Sequence, residues 1–563
     1  MKIAIAQLNA TVGDLAGNVA RIAGFAERAR AAGADMMVTP ELALCGYPPE
    51  DLLLREDFLE ACDRALGDLA ARVTDITLVV GHPRKTNGKR HNSASVIQRG
   101  RILGVYDKWQ LPNYTVFDEE RYFEPGRTAY VCGVNGVNFG VNICEDAWGA
   151  SGPATARSPR SGSEELLGIN ICADSWNAEA PRAARAAGAN VLLVLNASPY
   201  HVGKRQIRHD VMRDRVAESG MALVYVNMVG GQDELVFDGA SFVLNREGAL
   251  TQELPMFEEA LGLVTLTDGE PQAGEIAASL PEEAEVYRAL LTGVRDYMDK
   301  NGFPGALVGL SGGIDSALTL AIAVDALGAG RVRAVMMPSR YTAEISVEDA
   351  RAEARALGVR YTEIPIWPIY EAFTKALAKE FEGLSADATE ENLQSRIRGN
   401  LLMALSNKTG ALVLTTGNKS EMGTGYATLY GDMAGGFGVL KDINKMLVYR
   451  LANYRNRLSA AIPQRVIERA PSAELRPDQT DQDSLPPYPV LDAIMEAYVE
   501  NDLSPREIIA QGHAPADVER VVRLVRASEY KRRQSPVGVR ITPRGFGKDW
   551  RFPITSKFRH PFD

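Results

Sequence analysis

Leu-Val-Gly-Leu-Ser-Gly-Gly-Ile-Asp-Ser, at 307–316, decides how the second half of the chain is read. An apolar run with β character ends at Leu310. Two glycines follow Ser311, and 317–326 reads as an apolar helix. That is a strand, a tight loop and a helix N-terminus. Glycines let backbone N–H groups close on an anion, and the helix dipole favours negative charge there. Ser311 and Ser316 add hydroxyl donors. Asp315 would repel a bare phosphate, so the loop calls for a bridging Mg²⁺ held by oxygen ligands. The Lys-Ser/Thr ending of a Walker A loop is missing. Taken alone, the motif also fits a glycine turn in an ordinary βα unit.

Its order, Ser-Gly-Gly-x-Asp-Ser, resembles the pyrophosphatase loop of the adenylating amidotransferases, which split ATP between its α and β phosphates. The resemblance implies ATP on Gly309, Leu310, Ser311, Gly312, Gly313, Ile314, Asp315 and Ser316. Further strands are expected at 332–337, 361–366 and 411–415, with helices at 281–300, 346–358 and 391–407. This alternation predicts a doubly wound parallel sheet with ligands at the C-terminal strand ends. Thr-Gly-Asn-Lys-Ser-Glu at 416–421, Ser-Arg-Ile-Arg-Gly-Asn at 395–400 and Tyr-Gly-Asp-Met at 430–433 then resemble the ammonia-using domain of NAD synthetases. That domain is an adenine-nucleotide α-hydrolase-like (PP-loop) fold. Carried over residue by residue, Thr416 lies on ATP, and Asn392, Glu421 and Lys531 contact deamido-NAD⁺. Glu421 shares Mg²⁺ with Asp315. The glycine-rich 432–441 is mobile in type and is expected to fold over the site and exclude water. The polar stretch 471–489 also matches the family, and the cations at 528–534 suit phosphates.

The first half alternates too, with strands expected at 2–8, 35–39, 76–81, 93–98 and 104–107 and helices at 18–33 and 58–73. Three stretches resemble the nitrilase superfamily, in particular the glutaminase domain of glutamine-dependent NAD synthetases. They are Pro-Glu-Leu at 40–42, Lys-Trp-Gln-Leu-Pro-Asn-Tyr-Thr-Val-Phe-Asp-Glu-Glu-Arg-Tyr at 108–122, and Ile-Cys-Glu-Asp-Ala-Trp at 143–148. The resemblance implies a nitrilase-like α-β-β-α sandwich with a Glu–Lys–Cys triad. Glu41 is then the general base and Lys108 steadies the oxyanion. A thiol needs such a base at neutral pH, and a lysine compensates the charge of a tetrahedral intermediate. Asn-Ala-Ser-Pro-Tyr-His-Val-Gly-Lys at 196–204 matches the glutamine-binding segment, which puts Ser198 and Lys204, with Tyr114, on glutamine.

Two cysteines compete for the nucleophile. Asn-Ile-Cys-Glu-Asp-Ala-Trp at 142–148 recurs as Asn-Ile-Cys-Ala-Asp-Ser-Trp at 170–176, across a stretch rich in Ser, Gly, Pro and Arg. This reads as a local tandem duplication, a departure from the family's single motif. Cys144 ends a predicted hairpin, 128–134 and 137–143 around Asn135-Gly136, and keeps the acidic residue after the cysteine. Cys172 leads more directly into the helix at 178–188 and the strand at 191–195.

The chain has 563 residues, 45% hydrophobic and 24% charged, enough for several ordinary globular domains. The polar stretch 268–280 is the expected linker between a glutaminase domain, 1–267, and a synthetase domain, 281–563. A net charge of −10 argues against a nucleic-acid or membrane-surface partner. Five cysteines without regular spacing suit a reducing cytoplasm. The N-terminus alternates like a strand rather than a signal peptide, and no apolar run is long enough to span a membrane. The resemblance implies small-molecule substrates, namely deamido-NAD⁺, ATP and L-glutamine. It also implies passage of ammonia between two sites and a homo-oligomer. Three alternatives stay open: an ammonia-dependent synthetase with an impaired glutaminase, another adenylating amidotransferase, and a non-enzymatic scaffold.

Overall fold

The computed structural model describes residues 1–147, 179–477 and 479–558. Cys172 and the second copy of the duplicated motif lie outside them. The chain forms two compact units, Met1–Leu280 and Pro281–Asp563.

The first unit stacks two sheets. The seven-stranded sheet has a parallel centre, in which Lys2–Gln7, Met36–Val38 and Thr77–Thr86 run side by side, extended by antiparallel Lys89–Gln98 and Arg101–Asp107. The six-stranded sheet is built around parallel Val137–Ile143, Val191–Asn196 and Ala222–Asn227. Strand alternation divides the work. Ile3 and Ile5 face the second sheet and share a core with Phe139, Val141 and Leu193. Ala4 and Ala6 face outward under helices Leu15–Ala31 and Glu56–Arg72, against Val19, Ile22, Leu66 and Leu69. Helix Lys204–Ser219 covers the other sheet through Val211, Met212 and Val216. This is the α-β-β-α sandwich. The hairpin expected around Asn135-Gly136 is present, as Val131–Val134 against Val137–Ile143.

The stretch 268–280 is not a free connector. Glu270–Pro271 pairs with the end of Ala260–Thr267, and the chain then runs along Leu250–Glu253. Gly274 N–H donates to Thr251 O at 2.9 Å, and Glu253 N–H to Glu275 O at 3.0 Å. Polar composition marked a boundary, but the backbone satisfies its hydrogen bonds on a sheet edge. The strands Leu235–Asp238 and Phe242–Leu244, close in sequence, belong to different sheets.

The second unit holds a five-stranded all-parallel sheet, in the order Arg360–Glu363, Val332–Met336, Ala306–Gly309, Leu412–Thr415, Phe437–Gly438. Winding reverses between Ala306–Gly309 and Leu412–Thr415, and a crevice opens at such a point. Helix Ala388–Thr409 covers one face, with Ile397 and Leu402 on Leu307, Val335 and Val413. The expectation of a lid at 432–441 fails. Phe437–Gly438 is the edge strand, Phe437, Val439 and Leu440 are fully buried, and Gly438 N–H donates to Val537 O at 2.7 Å. Its glycines admit close backbone approach rather than motion. Among the described residues no helix is long and apolar enough to cross a membrane.

Candidate active sites

Glu41, Lys108 and Cys144 each follow the C-terminal end of a strand, and the sandwich brings all three to one point. The loop carrying Glu41 lies against the backbone of Gly81, where a Cβ would sit 2.5 Å from Leu42 N. Only glycine permits that approach. Lys108 Nζ donates to Glu41 Oε1 at 2.7 Å and to both oxygens of Glu119 at 2.8 and 3.0 Å. Asn92 Nδ2 donates to Glu41 Oε1 at 2.7 Å, and Ala197 N–H to Glu41 Oε2 at 3.0 Å. Lys108 is fully buried and Glu41 is 1% exposed.

Cys144 opens a short 3₁₀ turn, Cys144–Ala147, with φ at +43°, a left-handed backbone that a non-glycine residue rarely adopts. Asp146 pins that turn. Its carboxylate accepts from Ile143 N–H at 3.0 Å, Trp109 N–H at 2.9 Å, Gln110 N–H at 2.8 Å and Tyr106 OH at 2.7 Å. Burial pushes the Cys144 thiol well above its ordinary value, and Glu41 adds to this while Lys108 opposes it. Burial also works against the charge of Lys108, yet Glu119 and Glu41 hold it well above the usual lysine range. The resting pocket thus holds a neutral thiol beside a charged lysine.

The three expected glutamine contacts surround this point. Tyr114 OH donates to Glu145 Oε2 at 2.9 Å. Ser198 Oγ accepts from Arg208 Nε at 3.2 Å. Lys204 is buried at the start of helix Lys204–Ser219, and its charge acts on Glu145. Burial carries Glu145 up to about 7. Glu119 was missed in the sequence because it is one of several acidic residues in a polar run. Its burial against Lys108 is a tertiary fact, and burial carries it to about 7.

In the second unit Gly309, Leu310, Ser311, Gly313, Ile314, Asp315, Ser316, Thr416 and Glu421 line one cavity of about 310 Å³. The loop closes on itself. Ser316 Oγ donates to Gly313 O at 2.9 Å and accepts from Ser311 N–H at 3.1 Å. Gly312 points away from the cavity. Its φ is +83°, and a Cβ there would lie 2.3 Å from Ser346 O. Asp315 Oδ1 accepts from Asn418 Nδ2 at 2.8 Å. Lys445 Nζ sits 2.5 Å from Asp315 Oδ2 and 3.4 Å from Glu421 Oε1. Burial and Asp315 raise Glu421 to about 8, against the pull of Lys445.

Asn392 and Lys531 do not line this cavity. They brace 425–428 beside it: Asn392 Oδ1 accepts from Thr428 Oγ1 at 2.9 Å, and Lys531 Nζ donates to Gly425 O and Ala427 O at 2.7 and 2.8 Å. Lys445 was missed, although a lysine directly after the cap Asn444 opposes the helix dipole and is a legible oddity. Arg398 and Arg469 also line the cavity. Arg398 Nε donates to Met337 O at 3.0 Å, and Arg469 Nη2 to Gly312 O at 2.7 Å. Residues 470–475 and Asp481 line the same cavity, nearly all from the polar stretch 471–489.

The carbon–nitrogen hydrolase family model matches residues 2–272, and the NAD synthase family model residues 286–535. A glutamine-dependent NAD(+) synthetase of Acinetobacter baylyi is 48% identical over 99% of both chains. The chain belongs to the glutamine-dependent NAD(+) synthetase family. A member from Thermotoga maritima is 43% identical over 100% of this chain and 99% of its own. The solved glutamine-dependent NAD+ synthetase of Acinetobacter baumannii, in complex with adenosine diphosphate, has a TM-score of 0.77 at 45% identity, covering 98% of each chain. A synthetase of the same description from Cytophaga hutchinsonii has a TM-score of 0.82 at 22% identity, covering 99% and 98%, a likeness of fold alone. Both halves of the family's architecture are therefore present in this one chain.

Proposed function

We propose that this protein makes NAD⁺ from deamido-NAD⁺, ATP and L-glutamine, releasing AMP, diphosphate and L-glutamate. It is an ATP-dependent carbon–nitrogen ligase with glutamine as nitrogen donor. The observation that carries the reading is the convergence of Cys144, Glu41 and Lys108 in a chain that also holds the 309–316 loop at the reversal point of a parallel sheet. Residues 1–267 carry glutamine hydrolysis and 281–563 carry synthesis, with 268–280 joining them.

Glutamine binds beside Tyr114, Ser198 and Lys204. Glu41 takes the Cys144 proton as sulfur attacks the side-chain amide carbon. The base is needed because burial disfavours a standing thiolate. Lys108, kept charged by its carboxylates, compensates the oxyanion. Glu41 hands that proton to the amide nitrogen, and collapse expels ammonia and leaves a γ-glutamyl thioester. Water, deprotonated by Glu41, then releases glutamate and restores the thiol. In the second unit the loop amides and hydroxyls, Lys445, Arg398 and Arg469 hold the phosphates, with Thr416 on ATP. The nicotinate carboxylate attacks the α-phosphorus and diphosphate leaves. Ammonia passed from the first site then displaces AMP from the acyl-adenylate and forms the amide. Asn392, Glu421 and Lys531 serve the deamido-NAD⁺ side.

Among the described residues no cluster of three or more metal-binding side chains occurs. Asp315 and Glu421 nonetheless fit Mg²⁺, which commonly takes one or two carboxylates and fills its shell with phosphate oxygens and water. The ion would supply charge neutralisation on the phosphates. The protein works in the cytoplasm as a homo-oligomer.

The test is NAD⁺ formation with Mg²⁺·ATP and either glutamine or ammonium, for wild type, Cys144→Ala and Cys172→Ala. Loss of glutamine use alone in Cys144→Ala is expected. The same pattern in Cys172→Ala would move the nucleophile to the second copy. No NAD⁺ from either donor would overturn the reading.

A further inference from the structure

Lys445 stands where a lysine is least favoured, in the first turn of helix Lys445–Leu458, at the positive end of its dipole. The first backbone donors of that helix are all taken up by side chains. Lys445 N–H donates to Ser420 Oγ at 2.9 Å, Met446 N–H to Asp492 Oδ2 at 2.9 Å, and Leu447 N–H to the cap Asn444 Oδ1 at 2.8 Å. Ser420 and Asp492 come from other elements. Ser420 is fully buried in helix Lys419–Thr424, one residue before Glu421. Asp492 lies in helix Tyr488–Met495 and is 5% exposed. Ser420 Oγ closes the circuit by donating to Asp492 Oδ1 at 2.5 Å. One carboxylate therefore joins the two helix starts that carry Glu421 and Lys445. It also places an anion at the positive end of helix Lys445–Leu458, which offsets the lysine there.

Asp492 and Ser420 do not line the cavity, but the groups they hold do. Lys445 Nζ meets Asp315 Oδ2 at 2.5 Å and Glu421 Oε1 at 3.4 Å. The second distance is at the long end for a hydrogen bond, so a slide of about 1 Å between the two helix starts removes it. Asn418, the cap of helix Lys419–Thr424, accepts from Glu421 N–H at 3.0 Å and donates to Asp315 Oδ1 at 2.8 Å. The same turn has a separate anchor. Lys419 Nζ pairs with Asp442 Oδ1 at 2.8 Å and with Glu500 Oε1 at 2.7 Å. Loss of the Asp492 tie thus frees the pose of the turn and leaves its attachment in place.

We propose that Asp492, through Ser420, is a positioning residue for synthesis: it fixes the first turns of Lys419–Thr424 and Lys445–Leu458 against each other, so that Lys445 meets Asp315 and Glu421 at the spacing the departure of diphosphate requires. This rests on the synthetase reading above. ATP affinity is spread over the loop amides, Arg398 and Arg469. The charge that develops as diphosphate leaves must instead be met by a cation already in place. Misplacement by about 1 Å is enough to cost about 10²-fold in rate. Asp492 therefore acts on turnover more than on ATP affinity.

The experiment measures ammonium-supported NAD⁺ formation by the full-length protein over a titration of Mg²⁺·ATP, and counts ATP sites and their Kd by titration calorimetry. Variants are Asp492→Asn, Ser420→Ala, Lys445→Ala and the double variant Asp492→Asn with Lys445→Ala. Asparagine keeps the shape of Asp492, but one of its two donors then faces an NH₂ group. In Asp492→Asn kcat should fall about 30-fold, and in Ser420→Ala about tenfold, with ATP stoichiometry unchanged and Kd within about threefold of wild type. Lys445→Ala should fall about 10³-fold. Adding Asp492→Asn to it should change kcat by less than about twofold, because the position of a missing ammonium no longer matters. A wild-type kcat in Asp492→Asn, a loss explained by fewer ATP sites, or a further 30-fold loss on top of Lys445→Ala would each overturn the positioning role and leave the function reading intact. A wild type that makes no NAD⁺ overturns both.

Discussion

The two sites solve opposite problems with similar side chains. In the first unit, two carboxylates and an ammonium are sealed together, with Lys108 at no exposure and every oxygen of Glu41 and Glu119 hydrogen-bonded. In the second, Asp315 and Glu421 meet Lys445 at the wall of a 310 Å³ cavity. A sealed cluster suits a reaction in which a proton moves within one small amide. An open cavity lined by loop amides and cations suits a bulky polyanion whose charge must be neutralised on arrival. Folding pairs the charges in both sites, but in the second the Asp315–Lys445–Glu421 cluster lies on a cavity wall that a substrate can meet.

That contrast can be broken most sharply at Cys144. Cys144→Ala should reduce glutamine-dependent NAD⁺ formation by on the order of 10³-fold or more, with ammonium-dependent formation intact. A comparable fall with both donors would show that the sites are not chemically separate. Next in size is Gly312→Ala, since φ of +83° and a Cβ 2.3 Å from Ser346 O leave no room. It should cut NAD⁺ formation about 10²-fold with either donor while glutamate release continues. A selective loss with glutamine alone would contradict the phosphate role of the loop.

Glu119→Gln tests whether the sealed cluster depends on pairing. Lys108 would keep Glu41 but lose half its counter-charge in a dry site, and breaking buried pairs costs about 3–5 kcal/mol. The first unit should melt earlier in differential scanning calorimetry and hydrolyse glutamine roughly tenfold more slowly. Unchanged melting would mean the cluster is wetter than its burial shows.

A last test concerns a sealed carboxylate on which burial and Asp349 outweigh the cation Arg455. Glu353 is buried, Asp349 stands near it, and its Oε1 finds no hydrogen-bond partner among the described residues. Burial and Asp349 raise it from 4.5 to about 8. The folded state therefore binds this proton more tightly than the unfolded chain. Its contribution is full below 4.5 and is lost as pH climbs towards 8, by at most about 1.4 kcal/mol per pH unit. Unfolding of Glu353→Gln compared with wild type from pH 5 to 9 should show the variant gaining relative stability up to about 8 and none beyond. A pH-independent difference would remove the buried proton.

Legibility followed the range of the interactions. The 307–316 loop could be read because strand, glycines and helix start are consecutive, and local geometry dictates them. Pro-Glu-Leu and Ile-Cys-Glu-Asp-Ala-Trp were legible only through their resemblance to the nitrilase superfamily, and the α/β architecture followed from alternation of periods. Glu119, Lys445, Arg398 and Arg469 carried no such signal, because each acquires meaning only from a residue far away in the chain. The glycine-rich 432–441 misled because glycine serves close packing as well as motion.

By itself, then, the sequence determined most of the elements and, through its resemblance to a family, the two chemistries to expect and the residues expected to carry them. Those depend on contacts within a turn or two of chain and on the types that the chemistry demands. Only the tertiary structure decided that Cys144 faces Glu41 and Lys108, that a second carboxylate seals the pocket, and that Lys445 bridges Asp315 and Glu421. Burial sets the charge state of each group, and burial is a property of chain segments brought together from afar.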